Sequence, residues 1–341
     1  MRGITILGLA WLGAAVAVAQ SPRTHELPLR PENVHWGYYD AARKPVLRVA
    51  SGDRVRVETM VAGGLQRLRL AGVTEAEIPE SLKTVERQVT ERGPGPHPMT
   101  GPVFVEGAEP GDALEVRIGP IEFVHNFGVN AFSPGGGTLP DAYPYAGLRL
   151  LRWRPGADRV EFKPGIMLPL APFFGSIGVA PPPLVGRISS RPPGYHGGNL
   201  ENKDLVAGTT LYLPVHVPGA LLSIGDGHAM QGDGEVTGTA LETSLRGTFD
   251  LRVRKDMRLR WPRAETPTHY IAIGLDPDLD EAARLATREM VDFLVAEHGL
   301  TRDEAYMLCS LPAALRVTQV VDATKGVHIM LAKSVFAGAR Q

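Results

Sequence analysis

The chain has 341 residues, 43% hydrophobic and 21% charged, with a formal net charge of −1. That length supports one large domain or two medium ones with a full core, and the balanced charge argues against a nucleic-acid-binding field. Glycine (39) and proline (29) are abundant, which suits many turns and short strands.

Residues 1–19 open with Met1-Arg2, run without charge from Ile4 to Ala19 and close on the small-x-small triplet Ala17-Val18-Ala19. This predicts a secretory signal peptide, a mature chain from residue 20 and a periplasmic or secreted location, with no stable membrane insertion after cleavage. The apolar run is short for a membrane span, and the signal carries no cysteine for lipidation. Cys309 is the only cysteine, so no intramolecular disulfide can form. Its neighbours Met307, Leu308 and Leu311 are apolar, a setting for an inert thiol rather than a nucleophile.

Val34 to Asp40 sets His35 beside Trp36, Tyr38 and Tyr39, as in a pocket wall or a hydrogen-bonded core. Val46–Val49 and Val55–Thr59 flank Ser51-Gly52-Asp53 and predict a hairpin. Pro79–Thr90 predicts one exposed helix. Strand-and-turn signals follow from Pro94 to Val116 and from Ile121 to Phe132, with Ser133–Thr138 as a flexible loop. That loop's three glycines lack the Lys-Ser/Thr of a phosphate loop. Phe173–Ala180 reads as a tightly packed strand or a pocket-lining loop. Asn199, Glu201 and Asp204 then offer oxygen ligands near His196. Leu211–Val217 and the Leu221 run predict a hairpin that brings Asp204 and Asp226 to one end of a sheet. His269–Leu275 reads as a buried strand. The clearest helix begins after Asp276-Pro277-Asp278 and ends near Gly299, and Thr301-Arg302-Asp303-Glu304 caps a second. Leu315–Val321 and Val327–Leu331 read as closing strands. The chain is therefore mainly β with a small C-terminal α+β part. It forms a single domain over 20–341, with an N-terminal β part (about 28–155), a middle β part (about 156–275) and the tail (about 276–341).

Leu221–Gly238 carries the strongest chemistry. An apolar run ends in Gly-Asp-Gly-His, and Glu235 follows within Gly-Asp-Gly-Glu. If the run is a strand, Asp226 and His228 stand at i, i+2 on one face. Imidazole and carboxylate together suit zinc or a similar divalent ion. A polar turn would also use Asp and Gly, but so many functional groups in so short a stretch favour a site. His35, His97, His125 and His196 each suit a core role as well as a ligand role.

Several stretches in one order resemble the acetamidase/formamidase family: His35-Trp36-Gly37-Tyr38-Tyr39-Asp40, Gly101–Ala108, Phe173–Gly178, Gly197-Gly198-Asn199 with Lys203-Asp204-Leu205, and Gly225–Ala229 with Gln231–Glu235. Asp276–Leu279 and Tyr306–Ser310 extend the resemblance across nearly all of 28–335. It implies a β-sandwich-type fold, hydrolysis of small amides, a divalent metal (zinc by implication) and a homodimer or higher homo-oligomer; calcium is an expected candidate only for a structural ion. Two departures are the signal peptide and Glu201, where the family pattern would have aspartate.

A metal ion can polarise an amide carbonyl and acidify water, while a carboxylate moves the proton. Asp226 and His228 are the leading metal ligands, with His35, Asn199 and Asp204 as additions. Glu235 is the expected general base and Glu106 its reserve. Gln231 and Asp233 would orient substrate or steady the ligands. The alternatives are a lactam-opening amidohydrolase and a non-catalytic secreted metal- or solute-binding protein. No Gly-x-Ser-x-Gly elbow supports a serine hydrolase.

Overall fold

Arg54–Glu58 (RVRVE) shows how the sheets form: Val55 and Val57 are buried while Arg54 between solvent and strand stays exposed, the alternation of a strand covered on one face. A computed structural model describes residues 21–336 of the protein. The expected signal peptide, 1–19, lies outside the described residues.

Two nine-stranded sheets carry the fold. The first runs, in spatial order, Thr24–Leu27, Arg54–Glu58, Leu245–Arg254, Ala113–Phe123, Thr210–Pro214, Arg263–Glu265, His269–Asp276, Lys325–Ala332 and Ala314–Gln319. The second runs Gly197–Asn199, Phe173–Gly178, Leu222–His228, Glu242–Thr243, Phe127–Phe132 and Gly147–Arg152; Pro98–Val105 also joins Leu222–His228 and brings in Val34–Trp36 and Leu47–Val49. One buried cluster spans both sheets, with Val55, Val57, Val116, Leu213 and Phe249 meeting Val103, Phe174, Ile177, Leu222 and Ile224. The mainly β, sandwich-type reading is therefore what the chain adopts.

Both expected hairpins are absent. Leu47–Val49 pairs in parallel with Pro98–Val105, while Arg54–Glu58 pairs with Thr24–Leu27 and Leu245–Arg254. The turn between them carries the chain from one sheet to the other. Thr210–Pro214 and Leu222–His228 are likewise split between sheets. Gly219, Ala220 and Leu221 all have left-handed φ (77°, 59° and 58°), which redirects the chain where a hairpin would return it. The helix expected over 79–90 is Glu80–Gln88; it is not wholly exposed, since Leu82 and Val85 are buried.

The C-terminal part follows its caps. Asp278 accepts from Asp280 N and Glu281 N to start the Leu279–His298 helix, and left-handed Gly299 ends it. Thr301 and Glu304 form the capping box of Arg302–Ser310. The long helix buries Ala282, Ala286, Met290 and Leu294 against the first sheet. Contact is close enough that a Cβ on Gly274 would lie 2.0 Å from the Ala282 carbonyl oxygen. Cys309 is half-buried, and burial pushes its thiol up to about 11, which keeps it protonated at neutral pH.

Because that neighbour is helix backbone, Gly274→Ala should cost about 1–3 kcal/mol of stability through overpacking. Chemical denaturation would measure it, and an unchanged midpoint would contradict this account of the helix–sheet contact.

Candidate metal centre

The strand Leu222–His228 is buried along its whole length. Phe173–Gly178 pairs along one edge; Pro98–Val105 pairs with its first half on the other edge and Glu242–Thr243 with its second. Only small residues allow such crowding. A Cβ on Gly175 would lie 2.5 Å from Asp226 Oδ2, 2.8 Å from His228 Cε1 and 2.9 Å from Glu201 Oε1. Gly175 thus forms the floor beneath three polar side chains.

Asp226 itself is not in regular strand geometry. Its φ is 58°, and Glu201 (55°) and Glu235 (46°) share the left-handed region, which is unfavourable for residues with a side chain. Left-handed backbone at three site carboxylates fits conformational strain held where geometry matters.

His228 stands at the centre. Its Nδ1 lies 3.3 Å from Glu201 Oε2; its Nε2 lies 3.3 Å from Asp226 Oδ1 and 3.4 Å from Glu242 Oε2. Neither ring nitrogen makes a hydrogen bond, and Glu201 Oε2, Asp226 Oδ2 and Glu242 Oε2 are also buried without a partner. Glu235 joins Glu201 and His228 in one group of converging ligand atoms, and Asp226, His228 and Glu242 form another. Ligands of a tetrahedral zinc ion bonded at about 2.0–2.1 Å stand roughly 3.3 Å apart. The distances from His228 Nε2 to Asp226 Oδ1 and to Glu242 Oε2 match that spacing, and imidazole with carboxylates suits the ion, so these residues fit a divalent metal.

The electrostatics lead to the same place. Burial pushes Glu201 well above the usual carboxylate range, and the Glu235 carboxylate adds to it. Burial also raises Glu235 strongly, with Asp322 the next cause. Asp322 is pushed up to about 6 by burial, with Asp226 adding to the rise against the His97 ring. Burial would raise Asp226 too, but the His228 and His97 rings outweigh it and hold it far below the ordinary range. For His228 burial acts downward and is overcome by Asp226, Glu201 and Glu242, so the ring is held well above its usual value. Such a group of buried acids demands positive charge.

Of the expected residues, Asp226, His228 and Glu235 come together here. Asn199 stands beside them with both ends of its amide engaged: its Oδ1 accepts from Ser176 Oγ at 2.6 Å, and its Nδ2 donates to Asp322 Oδ2 at 3.1 Å. Gln231 donates to the Glu201 carbonyl at 2.9 Å and so steadies that left-handed turn. His35 is buried, bonded through Nε2 to Ser223 Oγ at 2.9 Å, and lowered to about 3 by burial with Arg43 adding. Asp204 is held elsewhere, between His328 Nε2 at 3.1 Å and Arg316 at 3.3 Å. The missing 210–222 hairpin removes the route that would have carried it to the cluster. Asp233 is exposed and pairs with Lys203 at 3.1 Å. Glu106 is exposed on the turn beyond Val105, at the other end of its strand from His97. Sequence reasoning left out Glu242 and Asp322. Glu242 carried one signal, an acid between Leu241 and Thr243 in a β pattern; Asp322 carried none.

The described features place this chain among known proteins. The family model described as the Acetamidase/Formamidase family matches residues 35–191 and 185–337. The chain is 31% identical over 214 residues to a formamidase from Methylophilus methylotrophus, covering 46% of this chain and 51% of that protein. It is 30% identical over 198 residues to an acetamidase from Mycolicibacterium smegmatis, covering 41% and 49%. It thus spans about half the length of the curated relatives it matches. The crystal structure of an acetamidase from Bacillus halodurans superposes with a TM-score of 0.78 at 35% identity, covering 93% of this chain and 100% of that one. The chain belongs to the acetamidase/formamidase family.

Proposed function

We propose that this protein hydrolyses small linear amides to carboxylate and ammonia with a divalent metal, zinc by its ligand chemistry, after export from the cytoplasm. The observation that carries the reading is His228, buried with both ring nitrogens unpartnered among carboxylates. The formamidase and acetamidase relatives support the substrate class.

Amides resist hydrolysis because resonance weakens the carbonyl electrophile and nitrogen leaves poorly without a proton. Asp226, His228 and Glu242 would hold the metal, which when bound supplies carbonyl polarisation and a more acidic water. Glu201 Oε2, 3.3 Å from His228 Nδ1, would orient the ring from that side once it accepts a hydrogen bond there, as carboxylates do behind metal-bound imidazoles. Asn199 holds Asp322 in place. Glu235 is the carboxylate suited to move protons. At 7% exposure it is more open than Asp226 at 1% or Glu242 at 3%, and it borders a cavity of about 220 Å³. Leu151, Phe162, Leu168 and Met230 give that cavity apolar walls, with Gln231 beside Glu235. Asp226, His228 and Glu242 do not line it, and its volume suits a small amide rather than a peptide. Glu235 would take a proton from the attacking water and return it to the departing nitrogen. Its raised proton affinity, caused by burial and by Asp322, makes it a stronger base than a solvated glutamate.

Glu235→Gln should lower kcat by about 10²–10⁴-fold while metal content stays that of wild type. Loss of metal together with activity would make Glu235 a ligand and end its assignment as base.

Gly175→Ala tests the floor of the site. Its Cβ would press on Asp226 and His228, so metal affinity should fall while the far side of the sandwich stays folded. Equilibrium dialysis against zinc measures this, and unchanged affinity would show that the floor has room.

Removing the metal should also change the pH dependence of stability. Buried Glu201, Glu235 and Asp322 hold protons that the unfolded chain would release, so their contribution is full below the ordinary carboxyl range. It is lost as pH rises through the folded values, about 6 for Asp322. Chelated protein should therefore melt lower at about pH 8 than at about pH 5, with zinc reversing much of the loss. A chelated melting temperature that rises over this interval would contradict the electrostatic reading.

A further inference from the structure

His97 lies outside the residues assigned so far, and its surroundings fix it unusually firmly. Its carbonyl accepts from Gly37 N at 2.8 Å. Its own N–H donates to Ser190 Oγ at 3.4 Å. Its ring Nδ1 lies 3.0 Å from the Ser190 carbonyl oxygen. Close approach of the two segments depends on Gly95, where a Cβ would sit 2.2 Å from Ser190 Oγ and 2.9 Å from the Gly37 carbonyl oxygen. The ring is 6% exposed.

The Ser190 hydroxyl, 3.2 Å from Nδ1, could donate or accept, but the nearer carbonyl oxygen can only accept, so Nδ1 carries the proton and donates it there. In the neutral ring the other nitrogen, Nε2, is then a bare lone pair. That lone pair faces Asp226 Oδ2 at 3.8 Å, and Asp226 Oδ2 is itself buried without a hydrogen-bond partner. Two acceptors this close repel unless a proton or a cation lies between them. An imidazole whose far nitrogen is tied to a backbone carbonyl, with the near nitrogen free, is the arrangement that prepares histidine for metal binding.

We propose that His97 is a further metal ligand, acting through Nε2 beside Asp226 Oδ2, with the Ser190 carbonyl setting its tautomer. The inference rests on the divalent-metal reading of the centre. It makes Asp226 the shared carboxylate, with one oxygen towards His228 and the other towards His97. The competing possibility is an imidazolium at His97 that acts as a fixed positive charge for Asp226. The two make opposite statements about cation affinity, because removing a fixed positive charge would strengthen binding and removing a ligand would weaken it.

The test uses the mature full-length protein loaded with Co²⁺. His97→Ala should weaken Co²⁺ binding in chelator competition by at least about tenfold and shift the visible ligand-field bands. Circular dichroism checks that the variant is folded. A second measurement needs no variant: hyperfine-shifted, solvent-exchangeable imidazole N–H resonances in the wild-type Co²⁺ protein should number two, one from each histidine. Unchanged affinity and spectrum in the variant, tighter binding, or a single shifted imidazole proton would overturn the assignment. Failure of the wild-type protein to bind Co²⁺ or Zn²⁺ would instead remove the metal reading on which it rests.

Discussion

Carboxylates cannot remain ionised in a protein interior without compensating charge, and here Glu201, Asp226, Glu235, Glu242 and Asp322 are all buried around His228. None of the five pairs with a lysine or arginine within 4.0 Å among the described residues; histidine rings stand within that distance of Glu201, Asp226 and Glu242. Proton sharing and a bound cation are the two ways to meet that demand. The raised proton affinities of Glu201, Glu235 and Asp322 describe the first, and the converging unpartnered ligand atoms describe the second. An enzyme that exchanges a metal's charge for protons would couple its stability to both metal supply and pH.

The sandwich makes this crowding feasible. Only Asp226 and Glu242 of the five lie in strands, but all five acids are pinned from several directions. Asp226 and His228 share a central strand, Glu242 arrives on a neighbour that pairs Thr243 with Gly227, and Glu201 follows the edge strand Gly197–Asn199. Asp322 comes from the first sheet's side. It sits in a turn where Gln319 Oε1 accepts from Val321 N and Asp322 N, and Gly234 N donates to the Thr318 carbonyl. The Glu235 loop and the Asp322 turn are therefore tied together, and the site closes only when both sheets are in place.

Much of this was legible in the residues, for reasons that can be named. Capping residues act over a few positions, so the helix ends at Asp278, Gly299 and Thr301 could be read directly. The Gly-Asp-Gly-His run announced itself because it is both local and chemically dense. Strand pairing was less accessible. Period-2 alternation marks Leu47–Val49, Arg54–Glu58 and Thr210–Pro214 as strands, but it is the same whichever sheet a strand enters. Asp204 was misplaced by the same ambiguity. Asp322 could not be found, because an aspartate in a polar turn looks alike whether it faces solvent or a buried centre.

The left-handed backbone at Glu201, Asp226 and Glu235 has an evolutionary consequence. At those positions glycine would fit the chain better than the residue present, so substitutions that relax the fold are the ones that dismantle the chemistry. Selection for thermal robustness alone would erode the centre, and selection that retains the centre would keep the protein less stable than its sandwich allows. A relative carrying glycine at these places should be sturdier and without the buried acids, a scaffold retained after its centre has gone.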